Sequence, residues 1–237
     1  MSSAFGYRAE VRSYHQYCAI AKALDVIGDR WNLLIVRELL LQGPSRYTDL
    51  HQGLPGIATN LLAERLRDLE SDGIIAREEA PPPIATTLFR LTPRGLELEA
   101  VIQELGRWGA PLMTEPDAQD VRRDHWLALP VRLFVNDRTP DGPPITIELR
   151  AGAEPITVET REGKVHTRRG AAENPDLILA GEPQLVVGVL TGQLSLTAAR
   201  ARGLRTQGDA RVLAPLQPVT RQRTPASNAK EPPRGGR

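Results

Sequence analysis

Thr59, Asn60, Ala63 and Arg67 stand in one stretch, TNLLAERLRDLESDG, and their types match the edges of DNA base pairs. A carboxamide can pair bidentately with adenine, a guanidinium with guanine, and an alanine methyl can touch the thymine methyl. That chemistry needs the side chains on one face of a rigid element. Leu62, Leu66 and Leu69 recur at i, i+4 and i+7, so they share a helix face turned into a core, and Leu61 widens it. Asn60, Ala63, Glu64, Arg67 and Asp68 fall largely on the other side. Thr59 is a candidate cap, and Asp72-Gly73 a stop, so the helix is expected over 59–72.

Two β-type runs follow at once, Ile74–Arg77 and Thr86–Leu91, around the tip Pro81-Pro82-Pro83. A helix followed by a hairpin is the second half of a winged helix-turn-helix, or simply an amphipathic helix packed beside a hairpin. The segments upstream decide between them. Tyr17–Ile27 has helical spacing, with Ile20, Leu24 and Ile27 on one stripe, and Gly28-Asp29 breaks it. Trp31–Leu41 is dense in Leu, Ile and Val, as a central buried helix would be. Gly43-Pro44 stops it, and Ser45 can cap a short helix over Arg46–Gln52 with Tyr47 and Leu50 facing inward. Gly53-Leu54-Pro55-Gly56 then makes the turn into the 59–72 helix. Short helix, tight turn and next helix form a helix-turn-helix unit. After the hairpin, Thr92-Pro93 opens a helix running to about Trp108, with Leu96, Ile102 and Leu105 among its apolar residues. Such a helix either packs on a twin or covers its own core.

Further candidates for DNA contact are Arg46, at the start of the short helix, and Arg77 and Arg90 on the hairpin. Arg30 and Arg37 are weaker candidates. Arg65 lies on the flank of the reading face and either reaches a phosphate or pairs with Asp68 or Glu64. The charge balance opposes bulk polyanion binding: the formal net charge is +1, with −2 over residues 1–114 and +3 over 115–237. DNA binding would therefore depend on a local basic face, doubled by a dimer.

The run from Asp25 through Ile75 resembles the HxlR family of bacterial winged-helix regulators. The likeness is carried by Cys18, Ile27-Gly28-Asp29-Arg30-Trp31, Arg46-Tyr47-Thr48-Asp49-Leu50, Leu54-Pro55-Gly56-Ile57 and Leu62 through Arg65-Leu66 to Leu69, with Leu91-Thr92, Gly95 and Trp108 beyond. It departs from the family at Ala19, where proline is usual, and at Ala58-Thr59, where the cap is usually serine. The resemblance implies a homodimer on double-stranded DNA, with two recognition helices in successive major grooves, acting as a repressor. It also implies that Cys18 could serve as a thiol sensor, a role that needs a reachable thiolate. The alternative for Cys18 is a small buried apolar residue.

From Asp117 the composition changes. His125–Phe134 reads as a helix, or as a helix leading into a strand, Ile145–Leu149, Ile156–Glu159 and Lys164–Thr167 as an antiparallel meander with a turn at Gly163, and Asp176–Ala180 as a further strand. Helices over Pro183–Leu190 and Leu196–Ala201, the segment Leu204–Gln207 and a helical Gly208–Leu216 complete the half. Asp176, Gly181-Glu182, Leu190-Thr191-Gly192 and Gly203 to Gly208-Asp209 resemble the sterol-carrier-protein type 2 (SCP2-like) fold. That resemblance implies an apolar cleft for a small-molecule effector, lined by residues such as Leu185, Val186, Val189 and Leu190. Plain core is the other reading of those four.

The fold class expected is therefore α+β. An arm (1–16) leads into a winged helix-turn-helix domain (17–114), then a smaller SCP2-like domain (120–216) and a polar, proline-rich, disordered tail (217–237). The lone Cys18 excludes an intramolecular disulfide, and His15, His51, His125 and His166 show no metal-ligand spacing. No phosphate loop, nucleophile elbow or paired-carboxylate motif is present, so neither an enzyme nor a cofactor is expected. No apolar run is long enough to span a bilayer and no signal peptide is visible, so a cytoplasmic protein is expected. The competing function is an apolar small-molecule or lipid carrier, with the second half as its working part.

Overall fold

The computed structural model describes residues 13–80, 86–113 and 119–218. The first part runs α1 (Ala19–Ile27), α2 (Asn32–Gln42), β1 (Ser45–Arg46), α3 (Tyr47–Gly53), α4 (Thr59–Ser71), β2 (Ile75–Glu79), β3 (Thr87–Leu91), α5 (Pro93–Leu96) and α6 (Leu98–Gly109). Leu62, Leu66 and Leu69 of α4 are buried, together with Ile35, Val36 and Leu39 of α2, Leu50, and Ile75 and Phe89 of the hairpin. The i, i+4, i+7 spacing thus produces the packed face that sets α4 against α2. β2 and β3 pair antiparallel with Ile75 opposite Leu91, and β1 adds to the far edge of β3, giving the order β1-β3-β2.

Three local expectations are corrected. Ser45 does not cap α3: it lies in β1, buried, and its hydroxyl donates to the Gly43 carbonyl. The cap position falls to Arg46, whose N–H donates to the Asp49 carboxylate at 3.2 Å. Thr59 is the first helical residue of α4 and Ala58 occupies the cap without a side-chain bond. The single helix expected over Pro93–Trp108 is two, because α5 and α6 meet at Glu97; Thr92 does cap α5, accepting from the Gly95 N–H at 3.1 Å. The proline tip and Pro116 lie outside the described residues.

The second part begins with a 3₁₀ turn (Asp124–Leu127), then α7 (Ala128–Phe134) and β4 (Val135–Asp137). Next come β5 (Thr146–Arg150), β6 (Ile156–Arg161), β7 (Lys164–Arg169), β8 (Leu177–Ala180), α8 (Pro183–Leu190), α9 (Leu196–Ala201), β9 (Arg205–Gly208) and β10 (Leu216–Pro218). Five strands form one sheet in the order β7-β6-β5-β8-β9. β5 and β8 run parallel and the other neighbours antiparallel. The meander is β5 to β7, turning at Gly163 (φ 76°) as expected. The helix expected over Gly208–Leu216 is only a 3₁₀ turn at Ala210–Leu213, and Gln217 and Pro218, expected in the tail, pair with β4. The rest of the expected tail and residues 1–12 lie outside the described residues.

The two parts interlock. Leu41 of α2 is buried in the core of the second part, and Leu129 of α7 packs on the core of the first. Arg132 of α7 donates to the Leu40 carbonyl at 2.8 Å and pairs with Glu99 of α6 at 2.8 Å. Leu133 lies so close to α6 that a Cβ on Gly106 would come within 2.8 Å of it.

Candidate nucleic-acid interface

The buried leucine face of α4 leaves Thr59, Asn60 and Arg67 exposed, with Ala63 half-buried beside them. Arg67 hydrogen-bonds within its own helix, its Nε donating to the Ala63 carbonyl at 3.3 Å. The hydroxyl of Tyr47 on α3 donates to the Thr59 carbonyl at 2.6 Å, which fixes the start of α4 relative to α3. Gly56 (φ 88°) makes the turn between these helices, a conformation that glycine adopts freely. Arg46 is exposed at the start of α3. Arg46 and the exposed first turn of α4 thus both lie on the helix-turn-helix unit.

The other arginines are engaged. Arg65 is largely covered and meets three carboxylates, Asp29 at 2.6 Å, Asp68 at 2.9 Å and Glu64 at 3.0 Å. Of its two readings, the internal one is adopted. On the wing, Arg77 pairs with Glu70 at 3.0 Å and stacks over Phe89, and Arg90 pairs with Glu78 at 2.9 Å. Arg37 pairs with Glu38 at 2.6 Å and lies 4.5 Å above the Trp126 ring.

Cys18 is exposed and occupies the cap position of α1. The backbone N–H groups of Ala21 and Ile20 beside its sulfur hold the thiol below its ordinary pKa, without closing a cap hydrogen bond. The buried alternative for Cys18 is thereby set aside. The stripe on α1 also faces outward: Ile20 and Leu24 are exposed, and only Ile27 is buried. Val101, Leu105 and Trp108 of α6, then Leu112 and Met113, are exposed as well.

In the second part, Val186 and Leu190 sit fully inside the core, with Leu185 and Val189 half-buried against it. These are the positions of core side chains. The sequence reading missed Glu38, which is completely buried where the two parts meet. Its Oε2 lies 2.6 Å from His125 Nε2 and accepts from Gln42 Nε2 at 2.6 Å; its Oε1 accepts from Trp126 Nε1 at 2.8 Å. Burial by itself would raise the Glu38 pKa, but the His125 hydrogen bond and the charges of Arg37 and His125 outweigh it and leave the carboxyl below its usual value. Glu38 and His125 are 87 residues apart, so no local pattern could have announced the pair.

A helix with a buried leucine face and an exposed polar start, set by a tight turn against a shorter helix and followed by a hairpin, defines a winged helix-turn-helix domain. The chain belongs to the HxlR-like helix-turn-helix family, whose model matches residues 26–117. The HTH-type transcriptional regulator YodB of Bacillus subtilis (strain 168) is 37% identical over 86 residues, covering 36% of this chain and 76% of YodB. The uncharacterized HTH-type transcriptional regulator YvaP of the same strain is 33% identical over 87 residues, covering 37% and 80%. A crystal structure of diamide-treated YodB from B. subtilis is 35% identical, covers 43% of this chain and 100% of its own, and has a TM-score of 0.35. Among the described residues, no helix is long and apolar enough to cross a membrane, and no group of His, Cys, Asp and Glu could hold a metal ion.

Proposed function

We propose that the protein is a cytoplasmic, sequence-specific DNA-binding transcriptional regulator that acts as a homodimeric repressor. Membership of a family whose curated relatives are named as transcriptional regulators supports this reading. The observation that carries it is the exposed trio Thr59, Asn60 and Arg67 on a helix whose other face is locked by three leucines. Asn60 and Arg67 read base edges, and Ala63 contacts a methyl at their side. Arg46 holds a phosphate next to the reading helix. Arg65 serves by bracing α4 to Asp29 rather than by touching DNA, and Arg77 and Arg90 reach DNA only by leaving Glu70 and Glu78. The outward apolar residues of α1 and α6 form the face on which a second copy packs.

Cys18 is the candidate redox sensor: exposed, with its thiolate favoured by the neighbouring backbone. As the lone cysteine, it would act by linking subunits or by trapping a small thiol. We read the second part, a five-stranded sheet with helices, as the candidate effector domain and as a relative of the SCP2-like fold. Its apolar candidates, Leu185, Val186, Val189 and Leu190, pack as core, which weighs against the alternative of a lipid carrier.

The test is binding to a duplex from upstream of the protein's own gene, against a scrambled duplex, by fluorescence anisotropy. Asn60→Ala and Arg67→Ala are each expected to lose about 1–3 kcal/mol of discrimination. Discrimination unchanged in both variants would remove the base-reading role from α4. A thiol oxidant is expected to release the wild type and to leave Cys18→Ser bound; release of both would assign the response elsewhere.

A further inference from the structure

A cleft of about 290 Å³ opens beside the junction of the two parts, walled by the segment leading into the 3₁₀ turn, the β5–β6 loop and the end of β7. Its charged lining is Arg122, Arg123, Asp124, His125, Glu154 and Arg169. Both acids are already occupied. Asp124 Oδ2 accepts from the Ala153 N–H at 2.7 Å, and Glu154 Oε2 accepts from Arg169 Nε at 2.8 Å. Arg122 and Arg123 are exposed and pair with no described residue. Two forked cations therefore border a concave site whose carboxylates are spent.

We propose that this cleft binds a small organic anion, a carboxylate or phosphate held by Arg122 and Arg123, and that it is the effector site of the protein. The guanidinium fork matches either group bidentately, and the volume admits a metabolite-sized molecule. This rests on the regulatory reading above, and it moves the effector from the apolar face of α8 to a polar cleft. The cleft also reaches the DNA-binding part. His125, in its wall, holds Glu38, and Arg169 donates to Gln42 Oε1 at 2.8 Å, while Gln42 in turn holds Glu38. Both contacts land on α2, which shares one core with the leucine face of α4. An anion in the cleft adds negative charge beside His125 and competes with Gln42 and Glu154 for Arg169. It therefore acts on the side chains that tie the second part to α2.

The experiment is calorimetric titration of the full-length protein with citrate, inorganic pyrophosphate and salicylate, each at constant ionic strength. At least one is expected to bind saturably at one site per chain. Arg122→Gln/Arg123→Gln should weaken that binding by about tenfold or more. Arg161→Gln, an exposed arginine on β6 with its own partner Glu159, should not. Absence of saturable binding by all three anions, or equal affinity in the double variant, overturns the site. An anion that binds without changing affinity for the operator duplex overturns its role as effector. Failure of the ligand-free protein to recognise any operator is a different result: it removes the regulatory reading, while the titration still decides the site.

Discussion

Glu38→Ala is expected to destabilise the protein by about 3–5 kcal/mol, because it strands the partners of a buried carboxylate. The carboxylate accepts from Trp126 Nε1 and Gln42 Nε2, meets His125 Nε2 and balances Arg37, all with no solvent access of its own. Alanine supplies none of this and leaves an indole N–H and a cation facing a void. Because the four partners come from both halves of the chain, the loss should also uncouple them. Differential scanning calorimetry should show one cooperative endotherm in the wild type and two in the variant. A single endotherm at the wild-type midpoint would mean that the remaining contacts, the Leu41 and Leu129 packing and the Arg132 bonds to Leu40 and Glu99 among them, suffice to join the parts. Acid should act in the same direction. The folded-state pKa of Glu38 is depressed, so its contribution is complete above the ordinary glutamate value of about 4.3 and is lost as pH falls through the lower folded value. Glu38→Gln, with no proton to gain, should lack that acid-dependent step.

Leu66→Ala is expected to cost about 2–5 kcal/mol in urea unfolding, the range for removing a buried leucine side chain. Leu66 is 1% exposed and sits between Leu62 and Leu69 on α4, in one core with Ile35, Val36 and Leu50. The cavity would open directly beneath the reading face, so DNA affinity and stability should fall together. Arg67→Ala, one residue away and exposed, should lose discrimination at an unchanged unfolding midpoint. A Leu66→Ala midpoint within about 0.5 kcal/mol of wild type, the range of surface substitutions, would show that this face of α4 is not packed. The contrast between neighbours separates the two duties of the helix.

The two faces of α4 were legible in the sequence because the pattern that sets them is local. A period of 3.6 residues assigns Leu62, Leu66 and Leu69 to one side and Asn60 and Arg67 to the other before any coordinates are known. The same holds for the turn at Gly163 and for α8 and α9, whose limits match their apolar runs. What escaped is what depends on distant partners. Ser45 has the chemistry of a helix cap, yet pairing of β1 with Phe89 and Leu88 of β3 claims it. Glu38 looks like one more acid on an apolar helix until the second part closes over it. Ile20 and Leu24 have core-like spacing, yet among the described residues both stay exposed. Arg65 carries the charge of a phosphate ligand, and only the fold brings Asp29 to it.

The self-paired arginines of the winged-helix part bear on how the protein would find its site. A free cation laid on DNA expels a condensed counterion, and that release drives indiscriminate adsorption. Arg65, Arg77 and Arg90 arrive with their charge already answered by Asp29, Glu70 and Glu78, so little ion release is left to gain from them. The expected consequence is a shallow salt dependence and a short residence on random duplex. The protein would search by repeated three-dimensional encounters rather than by long sliding along the chromosome.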